Sequence, residues 1–199
     1  MKYILGIFFC FLITNASFAQ EFPSDMWHEG KIVLTSDETL KGEIKYDLIR
    51  NIVQVDTGKK LYTYSAKSIF HFEIFDKTVE SLREFYVLPY GLVTSYKAPV
   101  IFEVLVEGNI TLLSREYITT KSIQNPYSYG TYQKEVVVYD YFFLDNKGNI
   151  TRYSMKKRDL HIVLVKKKKQ VLEYMKANRL DHDKRNDLVR IIAFYNALI

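Results

Sequence analysis

The sequence GKIVLTSDETLKGEIKY, residues 30–46 of this 199-residue chain, has the pattern of two β-strands joined by a turn. Apolar side chains fill residues 32–34 and then alternate with polar ones over 40–46, on either side of the polar turn 36–38. Two such runs joined by a short polar turn are typical of a β-hairpin. Gly42 lies inside the second run, where a glycine indicates a bend or a bulge. The stretch therefore predicts a sheet that curls.

The same strand–turn–strand pattern continues over residues 29–153. Further strands are predicted in pairs across short turns, at 51–55 and 61–66, at 100–106 and 110–114, and at 136–144 and 149–153. In segment 68–75, Phe70, Phe72 and Ile74 are expected on one side, opposite His71 and Glu73. Nine or ten strands of this kind predict a mainly antiparallel sheet, as a curled sheet, a barrel or a sandwich.

The periodicity changes after Ser154 from two residues to that of a helix. Three helices are predicted, the last from the i, i+3, i+4, i+7 spacing of Leu188, Ile191, Ile192, Tyr195 and Leu198. Asp181 or Asp183 is expected to cap that helix. The fold class is thus α+β, a single β-rich domain over 20–199 with a C-terminal helical cap of two to three helices in segment 155–199.

The first nineteen residues have the layout of a secretory signal peptide. Lys2 precedes a short apolar run, 3–14, and the small residues Ser17 and Ala19 predict cleavage after Ala19. We therefore expect an exported protein in the periplasm, at the outer-membrane periphery or outside the cell, with no transmembrane segment after cleavage. Cys10 is the only cysteine, so the mature chain has no disulfide and no thiol nucleophile, which fits a bacterial envelope.

Segment 30–46 resembles the opening of uncharacterised secreted β-rich proteins of the Bacteroidota type. The segment DLVRIIAFYNAL, 187–198, resembles the final helix of some of them. The resemblance implies a β-rich envelope protein and brings no activity with it. The hairpin also resembles SH3-like and Sm-like small barrels, which would imply RNA binding. Because export separates the protein from RNA, nucleic acid is not an expected partner.

Positive charge is concentrated towards the C-terminus. Residues 156–190 hold twelve Lys and Arg against five Asp and Glu, a net +7 in a chain whose total is +5. The strongest cluster is Lys166, Lys167, Lys168 and Lys169, a candidate site for an anionic envelope polymer or for lipid headgroups. The alternative is a solvated helix junction.

Segment 119–133 is predicted to be a loop and carries Tyr127, Tyr129 and Tyr132. Tyrosine offers rigid amphipathic contact area, so these residues are candidates for binding an envelope protein or a sugar. The alternative is a loop folded back on the sheet.

Three sets of residues carry side chains of the kinds used in catalysis or metal binding. His71 and Glu73 share one side of a strand and would need a third group to hold a metal or form a hydrolase site. Glu103 and Glu107 share a strand face with Ile101 and Leu105. A charged pair that alternates with apolar residues either lines a barrel interior or lies at a sheet edge, and the edge is the favoured placement. Asp181-His182-Asp183 is explained by helix capping.

No nucleophile elbow, zinc-protease motif or phosphate loop occurs in the sequence, and no cofactor or metal is predicted. The leading interpretation is an exported structural or interaction module. Two alternatives stay open: an envelope hydrolase near His71 and Glu73, and a peripheral polyanion or membrane-surface binder that acts through residues 166–169.

Overall fold

The computed structural model describes residues 22–91, 96–125 and 129–199. The predicted signal peptide, 1–19, lies outside these ranges, and so does Tyr127. None of the helices in the described part of the chain is long and apolar enough to cross a membrane.

Within the described residues, ten strands precede three α-helices. The strands are β1 His28–Leu34, β2 Thr39–Asp47, β3 Ile52–Asp56, β4 Leu61–Ser65, β5 Ile69–Asp76, β6 Ser81–Tyr90, β7 Ala98–Val106, β8 Ile110–Gln124, β9 Thr131–Asp145 and β10 Ile150–Tyr153. The helices are α1 Lys157–Val163, α2 Lys168–Ala177 and α3 Arg185–Ala197. The predicted fold class, a mainly antiparallel sheet with a C-terminal helical cap, is confirmed.

The strands form one antiparallel sheet in the order β10-β9-β8-β7-β6-β5-β1-β2-β3-β4. The sheet does not close, so the barrel among the predicted alternatives is wrong. Four strands separate β2 from β8, which would place them about 24 Å apart in a flat sheet. The Tyr46 hydroxyl on β2 nevertheless donates to Glu116 Oε1 on β8 at 2.5 Å. The sheet therefore curls strongly.

A second contact holds the same curl from the β2–β3 turn. The Arg115 guanidinium on β8 donates to the carbonyl oxygens of Leu48 and Ile101 and to Asn51 Oδ1. Asn51 Oδ1 also accepts from the Ile101 N–H at 3.0 Å. Burial lowers the pKa of Arg115 to about 10, because desolvation disfavours a charge that is met by neutral oxygens.

Gly42 lies inside strand β2, where a glycine indicates a bend, a bulge or a close backbone approach. A Cβ at this position would lie 2.1 Å from the Asp56 carbonyl oxygen, far inside van der Waals contact. The glycine thus permits a close backbone approach where β2 passes from its pairing with β1 to its pairing with β3.

The concave face of the sheet carries two hydrophobic clusters. The first fills the curl of β1 to β7 and includes Ile44, Phe72 and Ile101. The second lies under the helices and contains the buried side chains Leu112, Tyr141, Phe143, Tyr153, Leu160, Leu164, Val171, Leu180, Leu188, Ile191, Ile192 and Tyr195. On β7, Ile101 belongs to the first cluster and Leu105 packs against the second, with Glu103 between them on the same face.

Helix α3 is fastened to the sheet at its far end as well as by its apolar stripe. Near the C-terminus of the helix, Asn196 accepts from the Ile110 N–H at 3.0 Å and donates to the Ile110 carbonyl at 2.8 Å. The predicted capping by Asp181 or Asp183 is wrong: the N-cap is Lys184, with no side-chain cap bond. Asp187, in the first turn, instead accepts from the Asp181 N–H.

Strands β8 and β9 are much longer than their neighbours, and the prediction of a loop over 119–133 is wrong. The two strands pair without interruption from Ile110 and Asp145 to Gln124 and Thr131. Among the described residues, β8 pairs with β7 only as far as Ser114. We call segments 119–124 and 131–136 the arm, a two-stranded ribbon about 20 Å long that continues beyond the shared sheet.

Strand β5 differs from the predicted pattern at its first residues. Phe72 and Ile74 are buried as expected, whereas Phe70 is exposed. The register between β1 and β5 shifts between Val33 and Leu34, so that Ile69 occupies the inward position beside Leu34. Phe70 is left outside, against the edges of His71 and Tyr86.

Candidate functional site

Arg83 on β6 is the centre of a buried charge network on the concave face. Its Nε and Nη2 donate to the two Glu103 oxygens at 2.9 and 3.0 Å, and Nη2 also donates to Glu116 at 2.9 Å. Its Nη1 donates to Asp76 and to the Tyr46 hydroxyl oxygen, each at 2.9 Å. A guanidinium has five N–H donors. All five are thus used by groups from four other strands.

Arg185, the first residue of α3, extends the network to the helical cap. Its Nη2 donates to Glu103 Oε1 at 2.7 Å and its Nη1 donates to Ser114 Oγ at 3.1 Å. The guanidinium carbon lies 4.6 Å from the centre of the Tyr139 ring, in a cation–π contact. The cap is therefore fixed to the sheet by charge as well as by apolar packing.

Asp76, Arg83 and Arg185 keep their charges because the effect of their partners on the pKa outweighs the effect of burial. Burial alone would raise the pKa of Asp76, but hydrogen bonds from Thr78 and Arg83 outweigh it and lower that pKa. Burial lowers the pKa of Arg185, and the Glu103 charge more than reverses the effect. Burial raises the pKa of Tyr46 far above its usual value, reinforced by Glu116. Tyr46 therefore stays a neutral donor to Glu116.

The network forms walls of two clefts. Asp76, Arg83, Glu103 and Arg185 line a cleft of about 440 Å³. Tyr46 and Glu116 line a second cleft of about 390 Å³. Acid–base catalysis needs a carboxyl group that is available to a substrate. Both Glu103 oxygens accept hydrogen bonds from guanidinium groups. The geometry therefore favours a structural role, in which the network holds the strands and α3 together.

This network was missed at the sequence level except for one member. Glu103 alternates with Ile101 and Leu105, and of its two predicted placements the sheet edge is wrong, because the side chain is buried between the two clusters on the inner face of the open sheet. Glu107 is exposed just beyond the end of β7. The sequence around Arg83 could have predicted its burial, because Arg83 alternates with the apolar Phe85 and Val87 and so shares their face of the strand.

His71 and Glu73 are not joined by a third metal ligand. Glu73 pairs with Lys31 Nζ at 3.0 Å, and the His71 ring stacks on Tyr86 with centroids 5.2 Å apart. Within 22–91, 96–125 and 129–199, no three His, Cys, Asp or Glu side chains are grouped to hold a metal. Among the described residues, His71 and Glu73 therefore do not form part of a metal-binding group of this kind.

The segment Asp181-His182-Asp183 connects the cap to the last strand. The Tyr153 hydroxyl on β10 lies 3.3 Å from His182 Nδ1 and 3.3 Å from the His182 carbonyl oxygen. This contact gives the segment a structural role different from the predicted capping.

Two of the three predicted tyrosines, Tyr129 and Tyr132, lie at the end of the arm. Tyr129 is fully exposed and Tyr132, on β9, is about half exposed. Tyr127 lies outside the described residues. Ribbon residues around them are mostly exposed and polar, including Lys121, Gln133, Lys134 and Glu135. The arm therefore presents tyrosine together with hydrogen-bonding groups to the solvent.

The predicted lysine cluster lies where the first two helices meet. Lys166 and Lys167 form a short 3₁₀ turn, and Lys168 and Lys169 begin α2. Lys166, Lys168 and Lys169 are exposed, and Lys167 is half-buried.

Comparison with protein families, curated proteins and solved structures finds no match to this chain. The function is therefore argued from the geometry of these surfaces.

Proposed function

We propose that this protein is exported to the bacterial envelope and works there as an interaction module. In this proposal the arm binds an envelope protein through Tyr129 and Tyr132. The observation that carries it is the uninterrupted pairing of β8 with β9 beyond the last residue shared with β7. Exposed tyrosines at the end of such a ribbon are placed to contact a partner.

The rest of the molecule supports the arm as a scaffold. Glu116 lies on β8 just before the arm begins, where it is held by hydrogen bonds from Arg83 and Tyr46. Binding residues commonly lie on elements that a rigid framework positions. A fastened base lowers the entropy that the arm would lose on binding.

The tyrosines suit a protein partner. Tyrosine combines a large contact area with few rotatable bonds, and tyrosine side chains are enriched among the residues that dominate binding energy. Lys121, Lys134 and Glu135 place both signs of charge beside them, which suits a mixed protein surface better than a uniformly charged polymer.

Export is supported by the sequence of segment 1–19 alone. If Ala19 is the last residue removed, N-terminal sequencing of protein purified from the cell envelope begins at Gln20. A protein that keeps Met1 and stays in the cytoplasm would contradict this part of the proposal.

Capture from a membrane-protein extract tests the arm. Immobilised chain 20–199, which retains every residue that the structure describes, is expected to retain a discrete envelope protein. Tyr129→Ser with Tyr132→Ser is expected to reduce that capture at least about tenfold, because each contact residue of this kind is worth roughly 2 kcal/mol.

The matched control lies on β4, at the other edge of the sheet. Leu61→Ser with Tyr62→Ser also removes one exposed and one half-buried side chain, and is expected to leave capture unchanged. Equal loss in both double variants would contradict a role for the arm.

A further inference from the structure

The junction of α1 and α2 exposes apolar side chains that the fold does not use. Ile162 is 68 % exposed, Val165 is 69 % exposed and Leu172 is 37 % exposed. Their neighbours Leu160 and Leu164 are buried against the sheet. The helices therefore have their inner face satisfied and carry a second, outward apolar set.

Lysines surround this apolar set. Leu172 lines a groove of about 480 Å³ with Lys168, Lys169, Lys176 and Glu173. Residues 156–176 hold eight Lys and Arg against two Asp and Glu, a net +6. Of the two acids, Asp159 is already engaged by Ser154 and Arg158.

The lysines in this cluster are available for an external anion. In the described part of the chain, none of Lys166, Lys167, Lys168 and Lys169 takes part in an ion pair. Long lysine stems can also lie along apolar surface while their ammonium groups reach outwards.

We propose that this patch, Ile162, Val165 and Leu172 with the surrounding lysines, binds the surface of an anionic phospholipid bilayer. The ammonium groups contact lipid phosphates, and the three apolar side chains enter the boundary between headgroups and acyl chains. A basic surface with exposed aliphatic residues is the combination that holds a protein in the plane of a membrane interface.

The apolar residues decide between a bilayer and a soluble polyanion. A polysaccharide or other soluble polymer would be bound by the lysines through release of counterions. It would offer no hydrocarbon for Ile162 and Val165. Contact with the hydrocarbon of a bilayer would explain why these apolar side chains are exposed beside the lysines. The contacts that a soluble polyanion makes would not explain it.

Flotation with lipid vesicles tests the proposal. Chain 20–199 is expected to float with vesicles of phosphatidylcholine that contain about one-third phosphatidylglycerol, and to remain unbound with phosphatidylcholine alone. Lys166→Gln, Lys168→Gln and Lys169→Gln together are expected to weaken binding about a hundredfold, since each lysine at an anionic surface is worth roughly fivefold.

The apolar part is tested separately with Ile162→Ser and Val165→Ser, at two of the most exposed aliphatic residues in the described part of the chain. This double variant is expected to lose at least about tenfold in binding to the anionic vesicles while it keeps its binding to dextran sulfate. Tyr129→Ser with Tyr132→Ser is expected to bind vesicles normally, so failure of the arm proposal would leave this one intact.

Matched controls change the same chemistry elsewhere. Lys41→Gln, Lys59→Gln and Lys67→Gln remove three exposed charges, and Ile49→Ser with Leu61→Ser removes two exposed apolar side chains. Both controls are expected to bind as the wild type does. Absence of binding to anionic vesicles would overturn the proposal. Loss in the lysine variant without loss in the Ile162/Val165 variant would also overturn it, in favour of a soluble polyanion.

Discussion

At the scale of single residues, the Arg83 side chain donates five hydrogen bonds within the protein. Three carboxylates and a tyrosine hydroxyl converge on one guanidinium, and all of these groups are largely removed from water. A buried charge is tolerated only when partners replace the water that it has lost. The carboxylates therefore depend on Arg83 as much as Arg83 depends on them.

Loss of Arg83 is expected to be severe. Arg83→Leu leaves Asp76, Glu103 and Glu116 without their common partner and should lower the free energy of unfolding by about 3–5 kcal/mol. Urea denaturation measures the change. The matched control is Arg152→Leu, which removes an exposed pair with Asp140 and should cost less than about 1 kcal/mol. Similar losses in the two variants would contradict a buried network.

If Arg83→Leu does not accumulate, Arg83→Lys supplies the same test. Lysine restores the charge without the five-donor fork. The lysine variant should therefore unfold at a lower urea concentration than both the wild type and the Arg152→Leu control.

Asp76 gives the network a dependence on pH. Its pKa in the folded protein lies below the ordinary value of 3.8, so its contribution to stability is complete above that value and is lost as pH falls through the folded pKa. The stability difference between wild type and Asp76→Asn should thus be largest near neutral pH and shrink below about pH 4. Urea titrations at several pH values measure it. A constant difference would contradict the assignment.

At the scale of elements, α3 is held at both ends. Arg185 at its start contacts Glu103 and Ser114, and Asn196 near its end contacts the backbone of Ile110. The apolar stripe of α3 sets which face packs inwards, whereas these polar contacts set its position along the sheet.

Removal of the first fastening should loosen α3 locally. Arg185→Ala is expected to speed amide hydrogen exchange in the first turns of α3 about tenfold, because a charge-assisted hydrogen bond contributes roughly 1.5–3 kcal/mol. Arg190→Ala, an exposed residue of the same helix, should leave exchange unchanged. Equal effects of the two variants would contradict the fastening.

The sequence predicts those elements best whose two faces differ in polarity. The period-two runs of the sheet and the spaced apolar residues of α3 follow from burial of one face, and their predictions were correct. Both faces of the arm are mostly exposed to water, so segment 119–133 lacks the alternation of apolar and polar residues that predicts a strand. Phe70 was misplaced because a register shift depends on the partner strand and cannot be seen in one strand alone.

At the scale of the whole molecule, the curl brings together residues that are far apart in the chain. Tyr46 and Glu116 are 70 positions apart, and Arg185 and Glu103 are 82 apart. No spacing rule links such residues, which is why the network was invisible beyond Glu103. The exposed tyrosines and lysines were easier to identify, since local composition alone marks them.

The two proposed surfaces lie on different elements of the fold. The arm continues from β8 and β9, whereas the basic patch lies at the junction of α1 and α2, on the cap. Binding of a bilayer by the cap and binding of a protein by the arm would thus use different residues.

In-cell photocrosslinking tests the central proposal, an envelope interaction module that acts through its arm, most directly. Benzoylphenylalanine is placed at position 132 in the arm and, as the control, at position 62 on β4. After irradiation we predict one discrete adduct with an envelope protein from position 132 and none from position 62. Absence of an adduct at position 132, or the same adduct from both positions, would contradict the account.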